Sequence, residues 1–152
     1  MGTQPGDVVK STRERAGLTQ RQLAERSGVM QPNIAAIETG RTRPTEDTLR
    51  RLLDAARSRP SLILERHREQ VIELVRSHRG HDPRVFGSVA RGTDTTDSDV
   101  DLLVRFEPGT GLLEVSALVL ELEQLLGVDV DVVGEDSHGP TMQRALAEAV
   151  PV

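Results

Sequence analysis

The run DVDLLVRF, residues 99–106, constrains this chain more than any other stretch. On an extended strand alternate side chains point to opposite faces, so Asp99, Asp101 and Leu103 share one face while Val100, Leu102 and Val104 share the other. The apolar face is fit for a core. The other face begins with two like charges, which repel each other unless something positive lies between them. A divalent cation that prefers oxygen ligands meets that need. Just upstream, GSVARG, residues 87–92, follows a short strand and opens a short helix. Such a start offers free N–H groups to phosphate oxygens, and Arg91 adds positive charge. A phosphate cradle beside a metal-binding pair describes a nucleotide site.

Composition narrows the setting. The core of this 152-residue chain must be aliphatic, because Phe86 and Phe106 are the only aromatics. Without cysteine there is no disulfide and no thiolate metal site. No apolar run reaches the roughly 18 residues of a membrane helix, and MGTQPGDVVKSTRERAG is too polar for a signal peptide. A cytoplasmic protein with no membrane partner is therefore expected. His67, His78, His81 and His138 lack a compact ligand spacing and are expected at the surface, and Asp94 and Asp97 read as turn residues.

The charge changes sign near Pro60, where ARSRPS reads as a linker. Residues 1–60 carry 11 Lys+Arg against 7 Asp+Glu, whereas residues 61–152 carry 8 against 17. This asymmetry points to an anion-binding module joined to one that works with cations or carboxylates. We expect two domains, 1–59 and 60–152.

The first half is helical throughout, with interruptions at Gly17, Gly28, Gly40 and Pro44. Thr19 and Gln22 make a capping box for a helix that stops at Ser27-Gly28. Another helix starts near Gln31-Pro32, and Thr45-Glu46-Asp47 opens the last one. The stretch LTQRQLAERSGVMQPNIAAIETGRTRPTEDTLRRLLDA, residues 18–55, resembles the Cro/C1-type helix-turn-helix family. That resemblance implies an all-α DNA-binding domain, acting as a homodimer on double-stranded operator DNA. The helix from about Gln31 to Thr39 would lie in the major groove with Gln31 and Asn33 at base edges, while Gln20, Arg41 and Arg43 would lie near phosphates. Met30 stands where the family usually has a capping Ser or Thr.

The second half reads as α/β. A helix is predicted over Leu62–Ser77, a short strand over Arg84–Phe86 after Pro83, and a strand over Asp99–Phe106. A helix over Leu112–Leu126, a strand over Val128–Val133 and a helix over Thr141–Ala149 complete it. Gly87-Ser88, Ala90-Arg91-Gly92, Asp97-Ser98-Asp99 and Asp101-Leu102, with a later aspartate before Val132-Val133, resemble the minimal nucleotidyltransferases related to DNA polymerase beta. The resemblance implies a small mixed sheet, a nucleotide-binding segment at Gly87, Ser88 and Arg91, and a two-magnesium site for transfer from ATP. Asp99, Asp101 and a third acid on the neighbouring strand would hold the ions. Motif register assigns the third position to Asp131, and Asp129, on the same strand face, is the alternative.

Minimal nucleotidyltransferases of this size resemble the antitoxins of HEPN-domain ribonuclease toxins. The combination implies transfer of AMP to a tyrosine of the toxin and repression of the shared operon by the helix-turn-helix. An acceptor tyrosine must lie in another molecule, since this chain contains none. The competing reading is a transcriptional regulator whose inactive second domain binds nucleotide or toxin noncovalently. A small-molecule transferase would need substrate-binding structure that roughly 90 residues can hardly supply.

Overall fold

The computed structural model describes residues 2–152, which form two compact units, residues 2–58 and Arg59–Val152. The first unit is all helical: α1 (Pro5–Arg15), α2 (Gln20–Ser27), α3 (Gln31–Glu38) and α4 (Glu46–Ala56). Its core is aliphatic, built from Val9, Leu23, Ile34, Ile37, Leu52 and Ala56. The Thr19 side chain accepts from the Gln22 N–H while the Gln22 side chain accepts from the Thr19 N–H, at 3.1 and 2.8 Å. This reciprocal cap starts α2, and Gly28 ends it in the left-handed region at φ 72°. Met30 stands at the α3 N-cap and gives it no side-chain hydrogen bond.

A buried ion pair ties α1 to α3. Arg13 donates through Nε and Nη2 to Glu38 at 2.7 and 2.9 Å, and through Nη1 to the Leu18 carbonyl at 2.7 Å. Gln20 Nε2 also donates to Glu38, at 2.9 Å. Burial alone pushes the Glu38 carboxyl up, but the hydrogen bonds from Arg13 and Gln20 outweigh it and hold the group below its ordinary value.

The second unit contains α5 (Pro60–Arg66), α6 (Arg68–Ser77), β1 (Gly80–Phe86), α7 (Gly87–Arg91), β2 (Val100–Phe106), α8 (Leu112–Leu126), β3 (Val130–Gly134), α9 (Pro140–Glu148) and β4 (Val150–Pro151). The sheet order is β3-β2-β1-β4. β1 is antiparallel to β2 and β4, and β2 is parallel to β3, so the sheet is mixed. Val100, Leu102 and Val104 face one core with Val71 and Val75 of α6 and Leu118, Leu122 and Leu126 of α8. Leu103 faces the other way and packs with Phe86, Met142 and Ala145, so α9 covers the opposite face.

The structure differs from the sequence expectation in four places. The helix expected over 62–77 breaks at His67, with α5 ending at Arg66 and α6 resuming at Arg68. The first strand runs from Gly80 through Pro83 instead of starting after it; proline cannot donate to a ladder, and the register shifts between His81 and Arg84, with Asp82 at φ 50°. β4 was not predicted, because two residues show no periodicity. His78 is also less exposed than expected: its side chain is 13% accessible, 3.3 Å from Glu121.

Replacing Glu38 with alanine strands the Arg13 guanidinium without its carboxylate. We expect unfolding measurements to show the first unit destabilised by about 3–5 kcal/mol, with the transition of the second unit unmoved.

Candidate functional site

The acidic end of the sheet is assembled from the starts of β2 and β3, the end of β1 and the loops beside them. Pairing of β2 with β3 sets Asp101 opposite Asp131, and the Val100 N–H donates to the Asp129 carbonyl at 2.9 Å. The Glu123 side chain of α8 accepts from the Val130 N–H at 3.2 Å and so helps fix where β3 begins. Asp99 arrives from a tight turn in which the Ser98 hydroxyl accepts from the Thr95 N–H at 2.9 Å and the Ser98 N–H donates to the Thr95 carbonyl at 3.0 Å. One carboxylate oxygen from each of Asp99, Asp101 and Asp131 lies within 4.8 Å of the others. Among the described residues this is the only group of three or more such side chains with that geometry, and Asp129 is outside it.

Gly87 makes the approach possible. Phe86 pairs with Asp101 across the β1–β2 ladder, and the chain then turns into α7 through Gly87 at φ 72°. A Cβ on Gly87 would strike the Asp101 carboxylate. Backbone conformation and space both require glycine here. Ser88 follows in α7, and its carbonyl accepts from the Thr93 N–H at 3.0 Å. Arg91 Nη1 donates to Glu148 Oε2 at 2.9 Å, and the Gly87 N–H reaches the same oxygen at 3.2 Å.

Two acidic residues at this end escaped sequence reasoning. Glu148 is 61 positions from Gly87, and no local motif marks it. Asp94 looked like a turn residue, yet it is 4% exposed and accepts from the Ser61 N–H at 2.8 Å, anchoring the loop before Asp99 to the first turn of α5.

Electrostatics follow from the crowding. Burial first, then the charges of Asp99 and Asp131 and a hydrogen bond with Asp131, push the Asp101 carboxyl up to about 6, with Arg91 partly offsetting them. Three hard oxygen donors held together against their own repulsion are a donor set that fits a divalent cation such as magnesium.

In the helical unit, the structure leaves Gln31 and Asn33 exposed on α3. Gln31 Nε2 donates to Gln20 Oε1 at 2.8 Å, so Gln20 links the Gln31 amide to buried Glu38. Gln20 is thus engaged by two side chains. Asn33 and Arg43 line an open cleft of about 420 Å³ with the start of α4, and Arg41 is exposed in the loop after α3.

With this geometry in place, comparison with known proteins fixes the class. A nucleotidyltransferase domain model matches residues 64–150, and a helix-turn-helix domain model matches residues 6–63. The chain belongs to the nucleotidyltransferase domain family and carries an N-terminal helix-turn-helix domain. A candidate protein adenylyltransferase of Methanocaldococcus jannaschii is 38% identical over 86 residues, covering 56% of this chain and 92% of that protein. A solved candidate minimal nucleotidyltransferase superposes with a TM-score of 0.55 at 47% identity, over 60% of this chain and 95% of that one. A toxin–antitoxin complex solved with AMP-PNP contains a chain with TM-score 0.50 and 24% identity, over 55% of this chain and 69% of that one, a likeness of fold. Among the described residues, no helix is long and apolar enough to cross a membrane.

The raised Asp101 carboxyl sets a pH signature. Protons and a cation compete for it, so the affinity for magnesium or manganese should be constant well above pH 6 and fall as pH drops through about 6, by up to about 10-fold per unit for one proton. Titration calorimetry across pH 5–8 reads this directly. In Asp101→Asn the pH dependence should vanish along with most of the affinity.

Proposed function

We propose that this chain is an antitoxin that transfers AMP from ATP to a cognate HEPN-type ribonuclease toxin, on a tyrosine, and represses its own operon through the helix-turn-helix domain. One observation carries the reading: Asp99, Asp101 and Asp131 converge within 4.8 Å beside the Gly87 turn, in a chain that also bears a DNA-binding domain. The resemblance to a candidate protein adenylyltransferase over 92% of its length supports a protein as acceptor.

In the transfer, the acceptor hydroxyl oxygen attacks the α-phosphorus of ATP, the bond to the pyrophosphate oxygen breaks, and the hydroxyl proton is lost. The three aspartates would hold a pair of magnesium ions, which would supply the positive charge that activates the acceptor and neutralises the triphosphate. Asp131 would orient the ion on the acceptor side and take the proton. Gly87, Ser88 and Arg91 hold the triphosphate through backbone N–H groups and the guanidinium. On DNA the protein acts as a homodimer, with Gln31 and Asn33 reading bases and Gln20, Arg41 and Arg43 positioned near the backbone. Both activities would take place in the cytoplasm.

With ATP, magnesium and toxin, mass spectrometry should show the wild type adding AMP to the toxin. Asp99→Asn, Asp101→Asn and Asp131→Asn should each lose on the order of 100-fold or more in rate while keeping operator binding, and Asp129→Asn should stay active. Equal inhibition of unmodified toxin by wild type and by the Asp99→Asn/Asp101→Asn double variant would contradict transfer and favour noncovalent neutralisation.

The DNA reading has its own test. Gln31→Ala should lose about 1–3 kcal/mol of discrimination between operator and random duplex, whereas Arg41→Ala should weaken both and lower the salt slope. Equal loss on both duplexes for Gln31→Ala contradicts base reading by that side chain.

A further inference from the structure

We infer that Glu148 is a resident anion of the triphosphate cradle, which the nucleotide must displace in order to bind; this rests on the nucleotidyl-transfer reading above. A single oxygen of Glu148 accepts from the Gly87 N–H at 3.2 Å and from Arg91 Nη1 at 2.9 Å. A backbone N–H and a guanidinium converging on one anionic oxygen form the pattern that a phosphate oxygen takes at such a turn. Two of the three residues assigned to the triphosphate are thus already engaged by a carboxylate from the far end of the sequence.

The surroundings make this carboxylate displaceable. Glu148 lies in the last turn of α9, a turn with no basic residue although Arg144 stands one turn earlier, and the helix dipole disfavours negative charge there. Arg91 and the Gly87 N–H offset that cost. On its other side Gly87 abuts the Asp101 carboxylate, so Glu148 sits at the edge of an end of the sheet that is already acidic. Its oxygens do not join the group formed by Asp99, Asp101 and Asp131, so it is a competitor for the cradle and not a further ligand of the cation.

The backbone holds the residue at this position. Ala149 donates back to the Ala145 carbonyl at 2.9 Å, and the next two residues form β4, where Val150 pairs with Val85 and Pro151 with Arg84. The side chain is 26% exposed, so it can rotate towards water while α9 and β4 stay in place. A triphosphate with its cation brings more acceptor oxygens than one carboxylate and wins the exchange. A nucleotide monophosphate has less to offer. The carboxylate lowers the affinity of every ligand that must displace it by the same factor and so raises the concentration of ATP needed.

The test is calorimetric titration of the full chain with magnesium and a non-hydrolysable ATP analogue, and separately with AMP, for wild type, Glu148→Gln and Glu148→Ala. Both variants should bind the analogue about 10-fold more tightly, as expected when a charge-assisted competitor is removed. The gain for AMP should not exceed that for the analogue, since one displacement cost applies to every ligand that enters the cradle. In transfer assays KM for ATP should fall while kcat stays within about twofold, the pattern of a change in ground-state binding. Glu148→Gln keeps the size of the side chain and decides the matter should Glu148→Ala fail to fold. Unchanged or weaker binding of the analogue by Glu148→Gln would overturn the inference, and weaker binding would make Glu148 a support for Arg91. Absence of binding by the wild type and both variants would instead overturn the nucleotidyl-transfer reading itself.

Discussion

The parallel pairing of β2 with β3 is the contact on which the candidate site depends. It sets Asp101 opposite Asp131, and the alternation of strand side chains carries Asp99 to the same face. A slip of one residue in this pairing would exchange Asp131 for a valine and turn its carboxylate towards the aliphatic core. Burial of Val100, Leu102, Val104 and Val130 against α6 and α8 therefore holds the register through a hydrophobic penalty for slipping, and the carboxylates are aligned as a consequence. The core, made almost wholly of aliphatic side chains, keeps like charges at a spacing they would not choose.

Each element around that pairing then limits the freedom of one carboxylate. Gly87 leaves space for Asp101, the Thr95–Ser98 turn delivers Asp99, and Asp94 fastens the preceding loop to α5. The Asp101 carboxyl is pushed up first by its burial and then by the charges of Asp99 and Asp131 that these constraints hold beside it. In the helical unit the buried Arg13–Glu38 pair has the corresponding role. From it the hydrogen-bond chain runs through Gln20 to Gln31, so the orientation of an exposed amide on α3 is set by a pair in the interior.

Local patterns were the part of this molecule most legible in the sequence. The capping box at Thr19 and Gln22, the glycine stop at Gly28 and the bounds of α8 depend on neighbours in the chain, and their residues announce them. Alternation put Asp99 and Asp101 on one face, but it left Asp129 and Asp131 equivalent; only motif register preferred Asp131, and the distinction lies in the pairing with β2. The break at His67 carries no glycine or proline, so a continuous helix was expected across it. Glu148 and Asp94 gain their meaning from contacts with Gly87, Arg91 and Ser61, each far away in sequence. Burial and long-range hydrogen bonds are what periodicity cannot encode.

The proposed transfer requires a cation held jointly by Asp99, Asp101 and Asp131. Anomalous diffraction from crystals of the full chain grown with manganese and a non-hydrolysable ATP analogue tests it most directly. The account predicts manganese density within bonding distance of carboxylate oxygens from all three residues, with the triphosphate at Gly87 and Arg91. Density at Asp129 in place of Asp131, or nucleotide bound with no ion among the three aspartates, would contradict it.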